Sequence, residues 1–100
     1  GSTIINTVLQ TALNIMDFDM NVAEAAAAPR IHHQWLPDQL FFESGISVDT
    51  LQLLKEQGHL LESSPRVIGR TQTISSDGEN TYGANDPRWP GGAAVAQPER

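Results

Sequence analysis

The sequence contains no cysteine. That absence excludes a disulfide, a thiolate nucleophile and a sulfur-ligated metal site. Basic residues are scarce: six Lys and Arg stand against twelve Asp and Glu, for a net charge of −6. Nucleic acids and anionic membranes need a cationic footprint, so neither is expected as a partner. No apolar run approaches the roughly 20 residues that span a bilayer, and no signal peptide opens the sequence, although a longer precursor could carry one. The hydrophobic fraction of 39% is a little low for a self-sufficient domain. A length of 100 residues allows one small unit, residues 1–100.

Charge is also missing from the whole stretch before Asp17. Apolar residues there fall at Ile4, Ile5, Val8, Leu9, Ala12, Leu13, Ile15 and Met16, the spacing of a helix with a wide apolar stripe. Ser2 is the expected N-cap. A solvent-facing helix normally carries Lys or Glu, so this one is expected to be covered on more than one side. That suggests a piece of something larger.

What the sequence does contain is clear punctuation. "NVAEAAAA" predicts a short helix opened by a capping box, Asn21 with Glu24, and ended by Pro29. "DQLFFES" has strand length. "ISVDTLQLLKEQGH" predicts a helix capped by Ser47, stapled by Ile46 on Leu51 and closed by Gly58. "HLLES" and "RVIG" are candidate short strands. "TQTIS" and "TYGA" flank the Asp77-Gly78 turn signal and predict a hairpin. Residues 87–100, within "DPRWPGGAAVAQPER", read as an extended tail. The order is α/β or α+β, helices first and a β-hairpin near the C-terminus.

Chemistry is harder to find. "APRIHHQWLPD" sets His32, His33 and Trp35 between Pro29 and Pro37. Adjacent histidines in an extended segment point to opposite sides, and only His59 is available to join them, so no metal is expected. The segment reads instead as a rigid crossing with Trp35 buried as an anchor. None of Ser2, Ser44, Ser47, Ser63, Ser64, Ser75 and Ser76 stands in a nucleophile-elbow pattern. Asp17 and Asp19 read as the end of the first helix. Gly91-Gly92 lacks the strand and helix of a phosphate loop. Phe41, Phe42, Leu51, Leu53 and Leu54 are core candidates. Arg30 is placed to bind a carboxylate or to form a structural ion pair. From the residues alone, the chain is a soluble domain fragment with no self-contained active site and no cofactor.

The same segment resembles a family signature. "APRIHHQWLPDQL" is similar to the P-R-x-H-H-Q-W-x-P-D-x-L pattern of the gamma-glutamyltransferases. "GSTIINTVLQTALNIMDFDMNVAEAAAAPR" resembles the helical region preceding it there. "GISVDTLQLLKEQGH" resembles the helix that follows, and "YGANDPRWPGGAA" the Y-G-A-x-D-P-R ending. The likeness covers nearly the whole chain in order. Gly69-Arg70-Thr71-Gln72 stands where G-S-T-Q is frequent, a change of one loop residue.

The resemblance implies part of an N-terminal-nucleophile hydrolase, a four-layer αββα sandwich with two β-sheets between helices. It implies a precursor that cleaves itself into a large and a small subunit, exposing a threonine nucleophile whose own α-amine serves as base. That threonine lies outside this chain, so these residues alone are expected to be inactive. In the family a P-G-G-S turn precedes the first helix, and its glycine amides form the oxyanion hole. Gly1 matches the second of those glycines and is the candidate site residue, provided Gly1-Ser2 is native and not a cloning remnant. Expected partners are the upstream remainder of the small subunit, the large subunit and a glutathione-type substrate. Some relatives favour other γ-linked acyl compounds, including cephalosporin-type amides, and the selecting residues lie elsewhere. By analogy the intact protein is periplasmic or secreted. The alternative is a non-catalytic scaffold or binding module of the same ancestry, self-associating through the apolar face of its first helix.

Overall fold

The computed structural model describes residues 1–97. Three helices and four strands follow in the order α1 (Ser2–Met16), α2 (Val22–Ala27), β1 (Ile31–His32), β2 (Phe41–Phe42), α3 (Val48–Glu56), β3 (Gln72–Ser76) and β4 (Thr81–Asn85). The strands form two antiparallel pairs, β1 with β2 and β3 with β4. The α+β order therefore stands, with helices first and a hairpin near the C-terminus. In place of one unit the chain divides into two: Gly1–Thr7 with Ala28–Gly69, and Val8–Ala27 with the chain from Arg70 onward.

In the first unit the backbone has little regular ladder. Ile31 faces Phe42 and His32 faces Phe41. On the other side of β2, Leu40 makes an isolated parallel bridge to Leu61. That bridge is all that "HLLES" contributes, and "RVIG" forms no strand. Pro65 has no N–H to give a ladder, and the Ile68 N–H goes to the Glu43 carboxylate at 2.8 Å instead of a strand partner. The other Glu43 oxygen accepts the Arg30 N–H at 2.9 Å, and the Arg30 guanidinium donates to Ile68 O at 2.9 Å. Both side chains are buried. The Arg30 guanidinium is thus bonded to a carbonyl within its own unit.

Phe41 and Phe42 are buried as expected, but Leu53 is exposed and Leu51 and Leu54 are only half-buried. Nine residues of α3 bury none of their side chains fully. Its ends follow the sequence: Ser47 Oγ accepts the Thr50 N–H, and Gly58 sits at φ 97°. Gly69 is required twice over. Its φ is +69°, and an added Cβ would run into the Thr7 side chain.

The second unit is more regular. Asn21 Oδ1 accepts the Glu24 N–H at 2.8 Å and Glu24 Oε1 accepts the Asn21 N–H at 3.2 Å, so the capping box closes in both directions. Helix α2 packs on both hairpin strands, and Val22, Ala26 and Ala84 form a small core with Ile15 against it. The hairpin runs in register from Gln72 opposite Asn85 to Ser76 opposite Thr81. Asp77 Oδ1 closes its turn by accepting the N–H groups of Glu79 and Asn80. These contacts and the Tyr82 hydroxyl hold the Asp77 carboxyl below its ordinary 3.8, the Asn80 N–H contributing most.

The expected tail from Pro87 begins with two turns, Trp89 N–H to Asp86 O and Gly92 N–H to Trp89 O. Asp86 explains this. Its buried carboxylate accepts the N–H groups of Thr71 and Arg88 and pairs with the Arg88 guanidinium at 2.9 Å. Arg88 also donates to Ala26 O. Arg70 lies over the Trp89 ring, 4.4 Å from its centroid. Residues 98–100 of the tail lie outside the described residues.

Helix α1 turns its polar side inward. Thr7 and Thr11 are buried, whereas Ile4, Ile5, Val8, Leu9 and Met16 are exposed. The apolar stripe seen in the sequence is real, and most of it is open to solvent, with Ile15 packed against the small core of the second unit. Among the described residues no helix is long and apolar enough to cross a membrane.

Candidate functional site

Gly1 stands at the start of α1. Its carbonyl accepts the Ile4 N–H at 3.2 Å, which makes Gly1 and not Ser2 the capping residue. Ser2 is already helical, and its hydroxyl donates outward to Gln34 Oε1 at 3.0 Å. A glycine cap has no side chain to satisfy the orphan N–H groups of the first turn, and that turn holds no acidic residue. The N-terminal end of α1 therefore presents partial positive charge with no acidic side chain in its own first turn.

The histidine segment lies against this turn. His32 is buried in β1 and stacks on Phe41 with the rings 18° apart. Its Nδ1 is 3.1 Å from Asn6 Nδ2, and its Nε2 is 3.1 Å from Gln34 Oε1 and 3.5 Å from Thr3 Oγ1. His33 points the other way, as strand alternation requires. Its Nδ1 accepts the Trp35 N–H and its Nε2 lies 3.2 Å from Asp38. His59 is exposed on its own segment after α3. Among the described residues no group of three or more His, Asp or Glu is placed to hold a metal ion. Trp35 corrects the sequence reading: it is 77% exposed at φ 72° and anchors nothing. The left-handed backbone that delivers its N–H to His33 turns the indole outward.

A cleft of about 180 Å³ opens beside this network, with Thr3, His32, Gln34 and Arg66 among its walls. Arg66 is spread over Phe41 at 3.6 Å and paired with Glu62 at 3.4 Å. The hydroxyl in the cleft wall, Thr3 Oγ1, lies 3.5 Å from His32 Nε2, a nitrogen that also faces Gln34 Oε1. What the first unit offers chemically is a set of N–H donors at a helix start, held by side chains from a rigid strand.

The gamma-glutamyltranspeptidase family model matches residues 1–96, so Gly1, the histidine segment and the Asp86-Pro87-Arg88 turn all fall inside the match. The chain belongs to the gamma-glutamyltranspeptidase family. It is 53% identical over 90 residues to the glutathione hydrolase proenzyme of Escherichia coli, a match over 88% of this chain and 15% of that protein. It is 35% identical over 101 residues to the Pseudomonas aeruginosa proenzyme, a match over 98% of this chain and 18% of the relative. Among solved structures, the gamma-glutamyltranspeptidase of Pseudomonas nitroreducens superimposes with a TM-score of 0.84 at 33% identity, over 98% of this chain and 52% of that one.

The chain thus spans under a fifth of these curated relatives and about half of the matched structural chain. Its fold is that of a portion of an N-terminal-nucleophile hydrolase in this gamma-glutamyltranspeptidase family. The sequence singled out Gly1 as a candidate and did not point to Asn6 and Gln34, which the structure places beside its helix turn. Gln34 was in view within the signature, and Asn6 lies four residues from Ser2 on the polar side of α1, a spacing that brings the two together.

Proposed function

We propose that this chain is the C-terminal portion of the small subunit of an enzyme that moves the γ-glutamyl group of glutathione-type compounds to water or to the amine of an amino acid or dipeptide. The threonine nucleophile is supplied by sequence outside these residues. Its hydroxyl oxygen bonds to the γ-carbonyl carbon, and its α-amine takes the hydroxyl proton and returns it to the departing amine. The acyl-enzyme then passes its acyl group to water or the acceptor amine. In that reaction the Gly1 nitrogen, as a chain amide, donates to the oxyanion of the tetrahedral intermediate, the position of greatest leverage in acyl transfer. Gly1 at the start of α1, inside the family match, is the observation that carries the reading.

The large subunit and the rest of the small subunit complete the enzyme. No cofactor takes part, and the intact protein acts in the periplasm or is secreted. The purified 100-residue chain is expected to leave a γ-glutamyl anilide unhydrolysed, whereas the precursor that contains it releases the aniline. Turnover by the short chain alone would overturn the assignment of the nucleophile.

The exposed apolar face of α1 favours a second role, self-association of this segment in isolation. Light scattering over a concentration series is expected to show mass growth. A monomer at every concentration would remove that role.

A further inference from the structure

We propose that His32, Gln34 and Asn6 are positioning residues that fix the first turn of α1, and with it the Gly1 amide, in the alignment that the oxyanion needs. This rests on the reading of Gly1 as an oxyanion donor. The signature histidine then has a task in the chemistry without touching the substrate.

The cap of α1 is a glycine and its first turn has no acidic residue, so nothing local fixes its first turn. Instead, Ser2, Thr3 and Asn6, which share one side of the helix, are each bonded to the 31–34 segment. The donor pattern closes without conflict. Asn6 Nδ2 donates to Ile31 O at 2.7 Å, which fixes the orientation of that amide. The same nitrogen faces His32 Nδ1, so Nδ1 accepts and the ring proton sits on Nε2.

That Nε2–H donates to Gln34 Oε1. Gln34 Nε2 donates to Leu36 O at 2.9 Å, which fixes this second amide and leaves Oε1 to accept from both His32 and the Ser2 hydroxyl. Every member has one workable orientation, and the ring itself is pinned in β1 against Phe41. An imidazole that accepts at Nδ1 and donates at Nε2 is thus built into the support of the Gly1 amide. Donor alignment of this kind matters because small misplacements are costly in the transition state.

The test uses the full precursor after self-cleavage, with a γ-glutamyl anilide as substrate. Gln34→Leu is expected to lower kcat roughly tenfold, a fraction of what loss of a whole oxyanion donor costs, with KM changed less than about twofold. Affinity for a γ-boronate analogue of glutamate, which mimics the tetrahedral state, should fall by the same factor as kcat, while a ground-state competitor binds as before. Ser2→Ala is expected to lower kcat roughly threefold, and Ser2→Thr, which keeps the hydroxyl, to recover most of it. The Ser2→Ala, Gln34→Leu double variant should be no worse than Gln34→Leu alone, because both cut one connection.

An unchanged kcat in Gln34→Leu, additive effects of the two substitutions, or equal losses in analogue and ground-state binding would each overturn the proposal. If Gln34→Leu does not fold, the Ser2→Ala and Ser2→Thr pair decides it. An unsubstituted precursor with no turnover would bring down the enzymatic reading itself, a failure visible before any variant is compared.

Discussion

The two units meet the same shortage in the same way, yet their backbones differ. Neither buries much of its apolar material, and each places an arginine and a carboxylate at its centre. In the first, Glu43 gathers the N–H groups of Arg30 and Ile68, and the Arg30 guanidinium reaches Ile68 O. In the second, Asp86 gathers those of Thr71 and Arg88, and the Arg88 guanidinium reaches Ala26 O. Around these hubs the second unit adds a five-residue ladder on each strand, whereas the first has strands of two residues. The lesson is that in the first unit side chains do for the backbone what a ladder does in the second. Such a segment is specified by individual residues more than by periodicity.

Asp86→Ala gives the largest test of that contrast. It leaves a nearly buried guanidinium without its counter-charge, and about 4 kcal/mol of stability should be lost on urea denaturation of the protein. Amide exchange at Ser75 and Tyr82, a hydrogen-bonded pair of the ladder, should nevertheless stay slow, because their bonds do not pass through the Asp86 side chain. Fast exchange there would show that the ladder depends on the hub after all.

Glu43→Ala strands two buried N–H groups and should cost about 3 kcal/mol. Here exchange should rise throughout the first unit, at Arg66 and Ile68 above all. If both amides stay protected, the first unit is held by something other than its side chains.

The smallest effect belongs to Asp77, which is fully exposed. The folded state holds its carboxyl below 3.8, so its contribution is present at neutral pH and disappears as pH falls through the depressed value. Melting curves at about pH 7 and about pH 3 should therefore differ less in Asp77→Asn than in the unsubstituted protein. An identical difference in both would mean the hairpin turn is set by its backbone alone.

The same contrast explains what the sequence disclosed. The hairpin, the Asn21–Glu24 box and the Ser47 cap were all legible because each depends on residues within a few positions of one another. So was the opposed direction of His32 and His33. The exposure of Trp35 and Leu53, the failure of Ser2 to cap and the lack of a strand at "RVIG" were not. Each is decided by a partner remote in sequence, or by the want of one: Ser2 turns to a glutamine 32 positions away, and Ile68 gives its N–H to a carboxylate 25 positions away. The division into two units was hidden for the same reason. At the candidate site, family likeness marked Gly1, but the side chains that meet beside its helix turn could be joined only in space.

The two tryptophans of the chain fall one in each unit, Trp35 open to solvent and Trp89 half-shielded beneath Arg70. The molecule therefore has a separate intrinsic fluorophore for each half. Replacing Trp89 by Phe leaves emission from the loop beside the histidines alone. A blue shift of that emission would time the moment at which water leaves the loop.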